Sequence, residues 1–164
     1  MKNKEIFLPL LSIVICIIVF ILDQISKYFI QNLISLNASI KVIKNFFYLT
    51  YVHNEGAAWS LFFRQRIFLI VISIFALYII FKYLKNFTQN KRNTIAFGLL
   101  IGGILGNFFD RVVFGYVKDF LDFRLFNYNY PIFNLSDIAI FFGVILVIYA
   151  IIKGEDHEDI SNWW

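Results

Sequence analysis

The chain predicts an α-helical polytopic membrane protein: four transmembrane helices with a small β-sheet resting on the membrane. Three observations carry this. The composition is 60% hydrophobic and 20% aromatic with only 16% charged residues, where a soluble domain averages about 25% charged. Four apolar runs divide the 164 residues, and each reaches about 18 to 22 residues with its polar ends, enough to cross a hydrocarbon core of about 30 Å. Between the first two runs lies a stretch rich in β-branched and aromatic residues, unlike a plain linker. A single membrane-embedded domain, 1–164, is expected, with no room for a separate soluble one.

The first helix is expected over about 6–30, running through Asp23. Lys2 and Lys4 before it imitate a signal peptide, but its apolar core is too long and no small-x-small cleavage site follows, so it reads as a retained span. Ile15 before Cys16 fills the place where a lipidation box needs a small residue, so the chain does not read as a lipoprotein. Cys16 is the only cysteine, which excludes an internal disulfide, and with only His53 and His157 beside it no metal-ligand spacing is visible. The connection 31–66 contains "SIKVIKNFFYLTYVHN", which reads as one or two short strands, with Phe46, Phe47, Tyr48, Tyr51 and Trp59 suited to the headgroup layer.

The second and third helices are expected over about 67–84 and 94–113. Gly98, Gly102 and Gly106 recur every four residues on the third, with Gly103 beside them, forming a flat stripe that admits a neighbouring backbone. Asn107, Asp110 and Arg111 follow on one face near its end. A second aromatic and polar connection, 114–133, closes with Pro131 before a fourth helix over about 134–153. The tail "GEDHEDISNWW" is acidic and reads as mobile. Four spans put both termini on one side. On that side fall Lys2, Lys4, Lys82, Lys85, Lys91, Arg92 and Lys153; opposite are Lys27, Lys41, Lys44, Arg64, Arg66, Arg111, Lys118 and Arg124. The first set is denser per loop residue, which favours that face as cytoplasmic without deciding it. The scattered net charge of +4 suits a membrane surface rather than nucleic acid.

Function is sought in the carboxylates, because an ionised Asp in hydrocarbon costs roughly 2.5 to 3.5 kcal/mol. Asp23, Asp110 and Asp137 stand at helix ends and Asp119 just beyond the third helix. Asp23 with Lys27, and Asp110 with Arg111, read equally as structural ion pairs fixing those ends. Asp119 and Asp137 lie at loop-to-helix boundaries that water can enter. Asn134 is placed to cap the fourth helix, which sets Asp137 at its third position beside free backbone amides. If Asp119 lies alongside, the two carboxylates hold one proton between them, the equipment for hydrolysing an amide without metal. Capping and surface solvation explain either acid singly. His53 reads as a packed or solvated loop residue rather than a base.

The blocks "FILDQISK", "HNEGAAWS", "GGILGNFFDR", "VKDF" and "FNLSD" resemble, in order and spacing, the motif blocks of bacterial lipoprotein signal peptidase (signal peptidase II), spanning Asp23 to Asp137. The resemblance implies four transmembrane helices with cytoplasmic termini, a small extracytoplasmic β-sheet and a loop over the active site, in the bacterial cytoplasmic membrane. It implies an aspartic endopeptidase that removes the signal peptide from diacylglyceryl-modified prolipoproteins, cutting on the amino side of the lipidated cysteine, with no cofactor and no metal. Asp119 and Asp137 match its catalytic aspartates. Asn107 and Arg111 match substrate-carbonyl positions with Asp110 orienting them, Asn54 and Gly56 a backbone-binding turn, Asn134 a support for the dyad, and Asp23 a supporting position beside the pocket. Ser136 replaces the usual Ala and brings a hydroxyl beside Asp137; Lys118 replaces an apolar residue and faces away from the dyad if its segment is extended. The expected partners are the prolipoprotein substrate and membrane lipid, with the protein a monomer. Two readings of other classes remain: a proton- or cation-coupled transporter, which needs acids deep in the spans, and a structural subunit that uses the glycine stripe for helix pairing.

Overall fold

The computed structural model describes residues 10–56, 62, 64–125 and 128–156, with 125, 128 and 129 described by backbone alone. The expected helical start at 6–9, the block 57–61 with Trp59, and the tail beyond 156 lie outside the described residues. In chain order the elements are α1 (Leu10–Leu33), β1 (Ser39–Ile43), β2 (Phe47–Asn54), α2 (Arg66–Leu84), α3 (Lys91–Val113), β3 (Val117–Leu125), β4 (Tyr128–Asn129) and α4 (Leu135–Ile152). All four helices are long and apolar enough to cross a membrane. Their outer faces carry large apolar side chains, such as Ile17, Phe75 and Phe141, that only lipid tails accommodate without penalty.

The least apolar helix is the innermost. α3 buries twelve residues where α1, α2 and α4 bury four, two and four, so the other three are arranged around it. It begins at Lys91, three residues before the expected start, because the Asn90 side chain accepts the Asn93 N–H at 2.9 Å and caps the helix. The glycine stripe serves two neighbours rather than one. A Cβ on Gly98 or Gly102 would meet Ile15 or the Cys16 carbonyl of α1 at 2.8 Å, while one on Gly103 would lie 2.5 Å from the Ser136 carbonyl of α4. Backbone-to-backbone approach on both sides is what these small residues permit.

The sheet runs β1-β2-β3-β4, every pair antiparallel. β1 and β2 are the strands expected between 39 and 52. The connection 114–133 was expected only as an aromatic, polar segment, yet it supplies β3, which sets Asp119 opposite Val52 and Val117 opposite Asn54. The Phe120 and Leu121 amides both donate to the Phe133 carbonyl, at 3.0 and 2.8 Å, so the strand bearing Asp119 lies against the chain entering α4. Ile30, Ile34, Tyr51 and Phe120 form a buried cluster fastening the sheet to the end of α1.

Candidate active site

One side chain touches both acids. Asn134 caps α4: its Oδ1 accepts the Asp137 N–H at 3.0 Å, and its own backbone N–H donates to Asp137 Oδ2 at 3.1 Å, a reciprocal capping box. Its Nδ2 donates to Asp119 Oδ1 at 2.6 Å. A helix cap therefore brings the carboxylates of β3 and α4 to one point. Asn54, at the end of β2, donates to the other oxygen of Asp119 at 2.8 Å, and its Oδ1 accepts the Gly56 N–H at 2.9 Å, closing the turn. Asn107 of α3, expected at a substrate carbonyl, instead donates to Asp137 Oδ1 at 2.7 Å while its Oδ1 accepts from Lys27 and Asn134, both at 3.1 Å, because its face of α3 turns into the bundle.

Burial separates the two acids. Asp119 is 1% exposed, whereas Asp137 is only half-buried. Desolvation, reinforced by the neighbouring Asp137 charge and opposed by the Asn54 and Asn134 donors, pushes Asp119 up from 3.8 to about 7. The two neighbouring carboxylates therefore titrate as a coupled pair, and burial favours a proton held between them. Arg111 reaches across the opening, its Nη2 donating to the Gly56 carbonyl at 3.0 Å and its Nη1 to Asn107 O at 3.3 Å. Its Nε is buried without a hydrogen-bond partner among the described residues.

Beneath the pair sits a second, fully buried layer. Lys27 Nζ lies 2.7 Å from Asp23 Oδ2 and 3.0 Å from Asp110 Oδ2, all three side chains at 0% exposure. Asp23 with Lys27 is the ion pair expected from spacing; Asp110 with Arg111 is not formed. Consecutive helical residues diverge by about 100°, so Asp110 turns inward to Lys27 while Arg111 points along the opening. Asp23 Oδ1 accepts the Ser136 N–H at 3.0 Å, tying α1 to α4, and Asp110 Oδ2 accepts the Lys118 N–H at 3.2 Å, tying α3 to β3. Gln24, which sequence reasoning passed over, joins this layer by donating to Asp23 at 3.1 Å and to Asp110 at 3.2 Å.

The two family departures resolve differently. Lys118 lies on an extended strand and turns away from Asp119, its Nζ sitting 3.6 Å from the centre of the Phe114 ring. Ser136 does not join the dyad as expected. Its hydroxyl is buried without a hydrogen-bond partner among the described residues and points to Gly106, where a Cβ would lie 2.1 Å away. The physical reason is helical phase: position 136 turns to Gly106 while position 137 turns to Asn107 and the Asn134 cap. His53 stacks on Tyr116 with ring centres 3.6 Å apart and hydrogen-bonds Tyr51 at 2.9 Å, the packed role expected of it.

Four spans with a carboxylate pair gathered at one end of the bundle define a polytopic membrane enzyme. Residues 15–153 match the family described as signal peptidase (SPase) II. The lipoprotein signal peptidase of Staphylococcus aureus strain MRSA252 is 39% identical over 148 residues, covering 90% of this chain and 91% of that one; that of strain JH9 is 38% identical over the same span. A solved structure described as a bacterial membrane enzyme determined in meso at 2.3 Å superposes with a TM-score of 0.81 at 38% identity, covering 90% of this chain and 91% of that one. A second, at 1.9 Å, gives 0.78 at 39% identity with 87% and 92% coverage. The chain belongs to the signal peptidase II family and is a bacterial membrane protease. Nothing in these comparisons supports the transporter reading.

Proposed function

We propose that this protein removes the signal peptide from diacylglyceryl-modified prolipoproteins, with Asp119 and Asp137 as its catalytic pair. The observation that carries the reading is the double contact of Asn134, whose backbone N–H donates to Asp137 and whose side-chain amide donates to Asp119. Asp137, the more accessible acid, takes a proton from water as the water oxygen attacks the carbonyl carbon of the residue preceding the lipidated cysteine. Asp119 gives its proton to the carbonyl oxygen. The intermediate collapses as Asp137 passes its proton to the departing amide nitrogen, the C–N bond breaks, and Asp119 recovers a proton from the intermediate's hydroxyl. The products are a signal peptide with a new carboxylate and a lipoprotein with a free cysteine amine.

In this reading Arg111 and the Asn54–Gly56 turn hold substrate backbone, and Asn107 and Asn134 fix the two carboxylates. Asp23 and Asp110 support from below. The chain works as a monomer with cytoplasmic termini and the dyad near the extracytoplasmic face, in contact with lipid; every group of the site comes from one chain, and the dyad lies at a single end of the spans. The test is cleavage of a diacylglyceryl-modified lipobox peptide by purified protein. Asp119→Asn and Asp137→Asn keep size but remove a titrating oxygen, so each lowers turnover by about 10³-fold or more while the protein stays folded, and the double variant is scarcely worse than either single. Near wild-type cleavage by either folded single variant defeats the assignment.

A further inference from the structure

We propose that Lys27 is a positioning residue for the peptidase reaction: its buried ammonium fixes the orientation of the Asn107 amide, and through it the hydrogen bonds received by both aspartates. The inference rests on the dyad reading and deepens it. An ammonium has three N–H donors and no acceptor. Those of Lys27 are directed to Asp23 Oδ2 at 2.7 Å, Asp110 Oδ2 at 3.0 Å and Asn107 Oδ1 at 3.1 Å.

The third contact has a consequence beyond packing. Only the amide oxygen can face an ammonium, so Nδ2 of Asn107 must point the other way, where it donates to Asp137 Oδ1 at 2.7 Å. The same Asn107 oxygen accepts from Asn134 Nδ2 at 3.1 Å, which aligns the donor that also reaches Asp119 Oδ1 at 2.6 Å. With the amide reversed, its NH₂ would meet an ammonium and its carbonyl a carboxylate, and both contacts are repulsive. One fully buried cation thus fixes the polarity of the Asn107 amide, which gives an N–H to Asp137 and an acceptor to the Asn134 amide that the α4 cap already orients toward Asp119.

Its charge acts on the same pair. The groups facing this interior are Asp23 from α1, Asp110 and Arg111 from α3, Lys118 and Asp119 from β3, and Asp137 from α4. Asp23 and Asp110 lie directly on Lys27, so removing the cation leaves two uncompensated carboxylates below the dyad and increases the dyad's affinity for protons. The protonation states needed for turnover are then reached at higher pH.

The experiment measures kcat and KM for a diacylglyceryl-modified lipobox peptide between about pH 4 and pH 9, with Asp119→Asn and Asp137→Asn run in parallel. Lys27→Met is expected to lower kcat about tenfold or more, leave KM within about threefold, and move the whole pH profile up by about one unit. Lys27→Met combined with Asp110→Asn restores the net charge of the trio and relieves the unpaired carboxylate that could prevent folding. Its profile is expected to return to the wild-type position while kcat stays low, because the amide remains unpinned. A wild-type kcat in the folded double variant overturns the inference. So does a folded Lys27→Met protein that loses only thermal stability. Activity in Asp119→Asn or Asp137→Asn would instead overturn the dyad reading, whatever Lys27 does.

Discussion

Asp119 shows how one residue trades stability for chemistry. Burial, aided by the Asp137 charge, holds its carboxyl near 7 in the fold against 3.8 in an exposed chain. The folded protein therefore binds a proton between those limits that the unfolded chain releases, so stability falls as pH rises from about 4 to about 7. Asp119→Asn removes this cost. The variant is expected to be more stable relative to wild type at pH 8 than at pH 4, as checked by denaturation at both values. If Asp119 is the acid proposed above it must carry its proton to act, so wild-type turnover is expected to fall as pH rises past about 7, read from the alkaline limb of kcat. A flat profile through pH 8 would contradict that role. Of the nine site positions expected from sequence, Asn134 was legible as a cap because Asn precedes an apolar run with an acid three residues on. Its second hydrogen bond, to Asp119, was invisible, since nothing local says which distant strand its Nδ2 will meet.

At the scale of the element, α3 carries the site because it is approached closely on two sides. A Cβ at Gly106 would meet the Ser136 hydroxyl at 2.1 Å and Asp23 Oδ2 at 2.7 Å, whereas one at Gly103 would meet the Ser136 backbone carbonyl at 2.5 Å. Gly103→Ala must therefore shift α4 itself and is expected to destabilise by about 1–3 kcal/mol, with no rescue by a change at 136. Ser136→Ala alone is expected to be neutral or stabilising, because its hydroxyl is buried without a hydrogen bond among the described residues, and it should partly rescue Gly106→Ala. Thermal unfolding of Gly103→Ala and Gly106→Ala, each alone and with Ser136→Ala, distinguishes these outcomes. At the opposite end of α3, Glu155 beyond α4 accepts from Asn90 at 2.9 Å and from Asn93 at 3.0 Å and pairs with Arg92, holding the last turn of α4 against the first of α3. The Arg92 hydrogen bond leads in lowering its carboxyl from 4.5 to about 2, so this clasp is present above 4.5 and is lost as pH falls toward 2. Glu155→Ala is expected to lower the melting temperature at pH 7 and to converge with wild type near pH 2, and a constant difference between them would exclude the clasp.

Across the whole molecule, β1 to β4 with Asp110, Asp119 and Asp137 lie at one end of the spans, Asp23 in mid-α1 lies level with the first turn of α4, and Lys82, Lys85, Lys91, Arg92 and Lys153 lie at the other end. With Cys16 replaced by Ala, a cysteine at exposed Asn45 should react with an impermeant thiol reagent in intact cells, and one at exposed Lys85 should not. Labelling of the latter reverses the proposed orientation. The four helices were legible because hydrocarbon demands long apolar runs, and their bounds moved only where polar residues take the ends. β1 and β2 were legible from β-branched and aromatic density, but β3 was not, since its ladder depends on a strand over sixty residues earlier. Composition and spacing by themselves determined the class, the spans and the residues capable of acid–base chemistry, and offered the Asp23–Lys27 pair as one of two readings, because these follow from periodicity and from the cost of charge in lipid. Only tertiary structure decided that Asp110 belongs to Lys27 rather than Arg111, that Ser136 faces α3, and that one asparagine joins Asp119 to Asp137. Those pairings depend on which face each helix turns inward, a choice made when α1, α4 and the sheet close on α3.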